Sequence, residues 1–409
     1  MTTRIIQGDC RDVLRTLPDA SVHACITSPP YYALRSYLPD GHADKHRELG
    51  LESSPDAYIA EMVAVFREVR RVMRPDAVAF VNVGDSYAGS NTVGWRPGNP
   101  DKNGGNSNRD GVGAVAGLAP KQLLMMPARL ALALQADGWW VRSDIIWHKP
   151  NPMPESVTDR PTSAHEHVFL LSRSARYFYD AAAVAEPTNW PEGSWGKSHK
   201  VYHTDAGPMR NGGQWQGGAT RSCRNVWTIA TEAYSEAHFA TFPTELASRC
   251  IRAGTSERGC CAKCGAPWVR QTDARFIPQQ DVSLERGMKG AAGQKPMDAS
   301  NGWDGVPRGT TQRTTTGWSP SCQCNSEVVP CTVLDPFCGA STTLLVAQRL
   351  QRDAIGIELS PQYVEMSRRR LEEDAGLFAD VADAPLFVRD AADDAYDQPL
   401  RDLFAEAAD

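Results

Sequence analysis

Two short segments of this sequence combine residue types that suggest the same kind of chemistry. Ser28-Pro29-Pro30-Tyr31 follows the compact apolar run Val22 to Thr27. Two consecutive prolines can continue neither a ladder nor a helix interior, and they stiffen the backbone so that its carbonyls keep their direction. With a hydroxyl at Ser28 and a ring at Tyr31, the segment offers fixed acceptors for an amino group and a flat surface for a base. Alkylating a weakly nucleophilic NH2 requires that: a nitrogen held in place with its lone pair aimed at the incoming carbon. A proline-rich turn closed by an aromatic is the bland alternative. The second segment, Val333 to Thr343, reads VLDPFCGASTT. It describes a strand entering a tight turn and then a helix, where backbone amides can hold a polar ligand tail. About fifteen residues later Ile355-Gly356-Ile357-Glu358 places an acid after another strand, where it can bind ribose hydroxyls.

The cysteines suggest a third chemistry. Of the 11 in the chain, Cys10, Cys25, Cys250, Cys331 and Cys338 lie beside apolar residues or in strand-like runs. Cys261-Ala262-Lys263-Cys264-Gly265 reads as a zinc knuckle, and Cys322-Gln323-Cys324 supplies a second pair. Four thiolates, Cys261, Cys264, Cys322 and Cys324, suit a closed tetrahedral zinc site. Cys260 is an alternative to Cys261. No open coordination position is evident, so the expected task of the metal is to fold a polar insertion with no core of its own, leaving the donor loop independent of it.

Taken together, the segments resemble the permuted, beta-class amino-group DNA methyltransferases over almost the whole chain up to about Arg370. Ser28 to Tyr31 matches that family's catalytic signature and Asp335 to Thr343 its methyl-donor loop, in the order catalytic segment first, donor loop last. Further matches are Gly8-Asp9, Asn82-Val83-Gly84-Asp85, Trp147-His148-Lys149-Pro150, His165-Glu166-His167 and His238-Phe239-Ala240-Thr241-Phe242-Pro243. The resemblance implies S-adenosylmethionine as methyl donor, double-stranded DNA as substrate, base flipping, and attack by an exocyclic amino nitrogen without a covalent enzyme intermediate. It makes Ser28, Pro29, Pro30 and Tyr31 the catalytic set. It makes Asp9, Phe242, Pro243, Asp335, Phe337, Gly339, Ser341, Thr342 and Glu358 donor contacts, with Asp9 accepting from the adenine amino group. Asp85 reads either as a site residue or as a cap. Ser28 leans towards cytosine N4, with adenine N6 as the alternative; a non-catalytic zinc-containing DNA-binding module is the more remote one. One departure stands out: Ser341 occupies a place where the family commonly has glycine, and its Cβ restricts φ.

These residues need strand ends to carry them. Strand-like runs at Thr3 to Ile6, Val22 to Thr27, Ala77 to Val83, Trp139 to Trp147, Thr332 to Leu334 and Arg352 to Ile357 alternate with helical patterns. The helical patterns cover Asp12 to Leu17, Tyr58 to Met73, Pro120 to Ala136, Pro243 to Ala253, Ser341 to Arg349 and Pro361 to Glu373. Glu166 to Ser172 and Ala175 to Tyr179 read as a hairpin. The pattern predicts an α/β fold with a mostly parallel sheet and helices on both faces; the resemblance implies its Rossmann-like methyltransferase form, seven-stranded and in circularly permuted order. The expected division is residues 1–185 as the catalytic half, 186–225 as a target-recognition segment and 226–258 as a return to the core. Residues 259–330 form the cysteine-rich insertion, 331–371 the donor half and 372–409 an acidic flexible tail.

The chain of 409 residues has a net charge of -6, which taken alone disfavours a DNA binder. Glu372 to Asp409 holds 12 acidic and 2 basic residues, so this stretch carries -10 and the rest +4. The rest is mildly basic and compatible with a positive cleft. Trp195 to Arg224 carries Lys197, Lys200, Arg210, Arg221 and Arg224 with Asp205 as its only acid. It reads as a basic, aromatic-bearing DNA-contacting loop or as a solvated linker. No run spans a bilayer and no signal peptide is evident. The expectation is a cytoplasmic, DNA-associated monomer or homodimer, with room for a cognate restriction endonuclease acting separately.

Overall fold

The computed structural model describes residues 2–34, 36–89, 118–187, 220–232, 242–278, 309–375 and 381–383. The chain begins β1 (Thr3–Gln7), α1 (Cys10–Thr16), β2 (Val22–Thr27), a 3-10 turn at Lys45–Arg47, α2 (Pro55–Val72) and β3 (Met73–Val83). It continues α3 (Met126–Ala136), β4 (Trp140–His148), β5 (His165–Ser172), β6 (Glu186–Pro187), β7 (Thr220–Arg221), β8 (Val226–Thr228) and α4 (Thr244–Gly254). Then come β9 (Cys260–Cys261), β10 (Trp268–Pro278), β11 (Gly309–Pro320), β12 (Val328–Val329), β13 (Thr332–Asp335) and α5 (Thr342–Arg349). The last elements are β14 (Asp353–Glu358), α6 (Pro361–Ala375) and β15 (Val381–Asp383).

The main sheet has the order β15-β1-β14-β13-β2-β3-β5-β4-β8. Every pairing from β15 to β3 is parallel, and only β5 runs against its neighbours. It is therefore the expected mostly parallel sheet, widened from seven to nine strands by the three-residue edge strands β8 and β15. The expected hairpin of Ala175 to Tyr179 does not form. β5 is already paired on both edges, with β3 and β4, and residues 175–179 instead leave one backbone bond from Phe178 N to the Asp76 carbonyl, 2.8 Å.

Local sequence explains the main helices. Ser54 caps α2 by accepting from Ala57 N at 3.1 Å, with Pro55 in the first turn. Tyr58, Met62, Val65, Phe66, Val69 and Val72 are its buried face. Ile59 and Val63, also on the apolar stripe, are only partly buried, so the contact face is turned slightly from the sequence reading. α3 starts at Met126 rather than at Pro120, because Asp85 Oδ1 accepts from Met126 N (3.0 Å) and Pro127 sits in the first turn. Asp85 is thus a cap.

By contact density the described chain forms two units. One comprises Met1–Asp180, Arg224–Val269 and Pro320–Asp409; the other Ala181–Cys223 and Arg270–Ser319. The first holds the nine-stranded sheet. The second holds the small β6–β7 pair and most of the long two-stranded β10–β11 arm. Within that arm Arg270 lies over Trp318, 4.3 Å from the ring centroid, and donates to Thr315. Among the described residues no helix is long and apolar enough to cross a membrane.

Candidate active site

The carboxyl ends of β1, β2, β3, β13 and β14 share one edge of the sheet, and the residues after them surround a cavity of about 250 Å3. This is where an open parallel sheet binds ligands. The antiparallel β5 reaches the same edge with its first residues, which brings Glu166 to the cavity wall.

At one end of the cavity lies the segment following β2. Pro30 is anchored from behind: Tyr58 on α2 donates its hydroxyl to the Pro30 carbonyl at 2.9 Å. Tyr31 packs its ring on Gly84, where an added Cβ would sit 2.6 Å from Cε2. Its hydroxyl donates to Glu166 Oε2 (2.6 Å) and accepts from Asn82 Nδ2 (2.8 Å) and from Ser28 Oγ (3.3 Å). Burial and the adjacent Glu166 carboxylate push the Tyr31 hydroxyl well above its usual value, so it stays a donor. Asn82 Nδ2 also donates to Glu166 Oε2 at 2.7 Å, and Lys149 pairs with Glu166 Oε1. Because Ser28 gives its proton to Tyr31, its oxygen faces any incoming amino group as an acceptor.

At the other end the turn after β13 meets the end of β14. Asp335 is buried; Oδ1 accepts from Thr27 Oγ1 (2.7 Å) and Phe337 N (3.1 Å). Burial raises its pKa to about 6. Glu358 accepts from Gly339 N (2.9 Å) and Ser360 N (2.8 Å), and burial raises it to about 7. Gly339 has φ +49 and open space where a Cβ would point. The turn therefore presents backbone rather than side chain to the cavity, the shape needed for close approach of a ligand tail. Ser341 adopts φ 57, ψ 35, the left-handed conformation that glycine takes freely.

Of the donor contacts expected from sequence, Asp9, Phe242, Asp335, Phe337, Gly339, Thr342 and Glu358 line this cavity, and so do Ser28, Pro29, Pro30 and Tyr31. Pro243 and Ser341 are not on its wall: Pro243 is the buried N-cap residue of α4, and Ser341 is buried with its hydroxyl beside the Cys338 thiol. Asp9 is already engaged. It caps α1 through Arg11 N (2.8 Å), and its two oxygens accept from the Arg11 and Arg47 guanidiniums. Against the burial that opposes it, these arginines hold its carboxyl below the usual range. Any adenine contact of Asp9 would share this carboxylate with the two arginines. Asn82, Trp147, Lys149, Glu166, Tyr37 and Tyr363 also line the cavity and had no assigned role. Asn82, Trp147, Lys149 and Glu166 were visible in the sequence only as parts of segments matching the family, and Tyr37 and Tyr363 carried no signal.

The ligand sulfurs of Cys261, Cys264, Cys322 and Cys324 lie within 4.8 Å of one another. Cys260 is not among them; it clusters with His23 and Cys331. Gly265 at φ +67 closes the knuckle, with its N–H donating to the Cys261 carbonyl at 2.8 Å. Although burial opposes it, amides of Cys264 and Lys263 lower the Cys261 thiol to about 7. Of the basic residues expected to meet DNA, Lys197, Lys200 and Arg210 lie outside the described residues. Arg221 pairs with Glu186 (3.3 Å), and the Arg224 carbonyl accepts from Trp227 Nε1.

Comparison with known proteins agrees with this arrangement. Residues 22–262 and 331–369 match the family described as DNA methylase, of the N6/N4 methyltransferase type. The chain is 35% identical to the Type II methyltransferase M.Cfr9I of Citrobacter freundii over 375 residues, 90% of this chain and 87% of that one. It is 32% identical to M.SmaI of Serratia marcescens over 368 residues, 90% of each chain. Among solved structures, a putative DNA modification methylase from Thermus thermophilus complexed with S-adenosyl-L-methionine is similar at TM-score 0.45 and 19% identity, covering 94% of this chain and 100% of the other. With the family model matched over more than half of its length and these relatives along nearly all of it, the chain belongs to the beta-class amino-group DNA methyltransferases and is an S-adenosylmethionine-dependent enzyme of the N4-cytosine/N6-adenine type.

Proposed function

We propose that the enzyme methylates N4 of cytosine at a specific sequence in duplex DNA. The observation that carries this reading is the single cavity shared by Ser28 and the Gly339–Glu358 turn. S-adenosylmethionine, when bound, supplies a methyl group already activated on a sulfonium. Glu358 and the backbone at Gly339 would hold its ribose and polar tail, with Phe337 and Phe242 against its apolar surfaces. The target cytosine leaves the stack, and its amino group donates to Ser28 Oγ and to the Pro29 carbonyl. Tyr31, fixed by Glu166 and Asn82, brackets the ring. A neutral hydroxyl and a fixed carbonyl orient the N4 lone pair without a full charge. The choice of cytosine over adenine rests on serine, rather than aspartate, at position 28. The Type II names of the relatives support sequence-specific modification, with any cognate endonuclease acting separately.

The four-cysteine cluster is proposed to hold one structural zinc, because its thiol set is closed and soft. Lys197, Lys200, Arg210, Arg221 and Arg224 are proposed to serve DNA contact. Mass spectrometry of nucleosides from methylated DNA tests the base. N4-methylcytosine is expected; N6-methyladenine without N4-methylcytosine would overturn the base assignment.

A further inference from the structure

At the Ser28 end of the cavity one cationic side chain is built into the wall. Lys149 follows β4 directly, and its side chain is 18% exposed. Its ammonium pairs with Glu166 Oε1 and lies 4.5 Å from the Trp147 ring centroid. Trp147 is itself fixed, being buried and donating Nε1 to the Ile229 carbonyl at 2.8 Å. Glu166 is used up: Oε2 accepts from Tyr31 and Asn82, and Oε1 from Lys149. The carboxylate therefore holds Lys149 in place and has little capacity left for a base. An ammonium has three N–H donors. One meets Glu166 and the ring face takes up another direction, so a third remains for the cavity that Lys149 lines.

A base whose amino group sits at Ser28 and Pro29 turns its neighbouring edge towards the rest of this wall. On cytosine that edge carries two acceptors, N3 and O2. On adenine the corresponding edge carries N1 and then a C–H. We propose that Lys149 reads the second acceptor of this edge, donating to O2 of the flipped cytosine where adenine has only a C–H, and so is a specificity-determining residue selecting cytosine over adenine. Glu166 is its positioning residue. The inference rests on the cytosine reading given above and supplies the physical discrimination that Ser28 alone does not. A site made to donate rejects a base that lacks the acceptor, because its donor is then left desolvated and unpaired.

The test compares two duplexes in single-turnover reactions. One carries the target cytosine; the other carries adenine at that position opposite an abasic site, which lowers the cost of flipping. The full-length wild type, Lys149→Met and Lys149→Gln are measured for N4-methylcytosine and N6-methyladenine by mass spectrometry. Lys149→Met removes every N–H, and the cytosine-to-adenine rate ratio is expected to fall about 10- to 100-fold. Lys149→Gln keeps a neutral N–H and should lose less. Equal losses on both bases, leaving the ratio within about threefold of wild type in both variants, would mean that Lys149 only braces Glu166 and would overturn the proposal. Failure of the underlying base assignment shows separately, as a wild type that prefers adenine.

Discussion

At the residue scale, two groups near the carboxyl ends of β13 and β14 behave unlike ordinary surface residues. Glu358 has its pKa raised to about 7 by burial. Its folded value lies above the unfolded one, so its proton favours the folded state. That contribution is fully present below about pH 4 and is lost as pH rises through the folded value near 7. Ligand hydroxyls donating to the ionised carboxylate act in the opposite direction. Donor affinity should therefore rise from about pH 6 to about pH 8, and Glu358→Gln should flatten the rise, as titration calorimetry would show. Glu358→Ala should weaken donor binding by about 10- to 100-fold; unchanged affinity in a folded variant would remove Glu358 from the donor site. Ser341 presents the second case. It keeps a left-handed backbone with a Cβ and has a buried hydroxyl whose one neighbour of note is the Cys338 thiol. Ser341→Gly relieves both penalties at the cost of extra chain entropy. A net stabilisation of about 1 kcal/mol is expected in urea unfolding.

At the element scale, the cysteine knuckle is more closely tied to the main sheet than its polar sequence suggests. Arg74, buried at the start of β3, donates to the Cys264 carbonyl at 2.6 Å. His23 on β2 has one ring nitrogen 2.9 Å from the Gly265 carbonyl, and its other accepts from Thr332 N, the first residue of β13. The knuckle thus braces the strands that end in Ser28 and Asp335. Chelation, or Cys264→Ser, should lower the melting temperature of the whole catalytic unit and weaken donor binding, rather than unfolding only the insertion. Unchanged donor affinity in zinc-free protein would disprove that coupling. The sequence reading missed it because the docking groups are one histidine and one arginine in ordinary-looking strands. Periodicity did locate β2, β3, α2 and α5, whose apolar spacing is unambiguous. It could not give the partner of β5, since alternation in residues 175–179 suits any extended chain. For that reason Glu166 was recognised only as part of a family match, with its place beside Tyr31 unseen. The β10–β11 arm was also unread, because β11 is rich in threonine and neither strand has the apolar alternation that marks a buried face.

At the scale of the whole molecule, charge and topology carry the remaining expectations. The negative total conceals a mildly basic remainder once Glu372 to Asp409 is set aside. If the segment around Lys197 and Lys200 meets phosphates, alanine at both positions should weaken binding to any duplex and reduce the slope of log affinity against log salt by about two. A fluorescence-anisotropy salt titration would measure this, and an unaltered slope would return the segment to the role of a linker.

The permuted order also has a consequence for biosynthesis. Thr27 and Asp335 share a hydrogen bond across 308 residues, and β1 pairs with β14, Thr3 lying beside Ala354. While the ribosome is still delivering the middle of the chain, β1 and β2 have emerged without the two strands that belong between them. The nascent sheet then has open edges where β13 and β14 will later insert, a state prone to mispairing and dependent on slow, non-local closure. Methylation competence would arrive abruptly when β13 and β14 insert rather than growing with chain length, so a cell's DNA meets no half-built enzyme able to bind donor and base together.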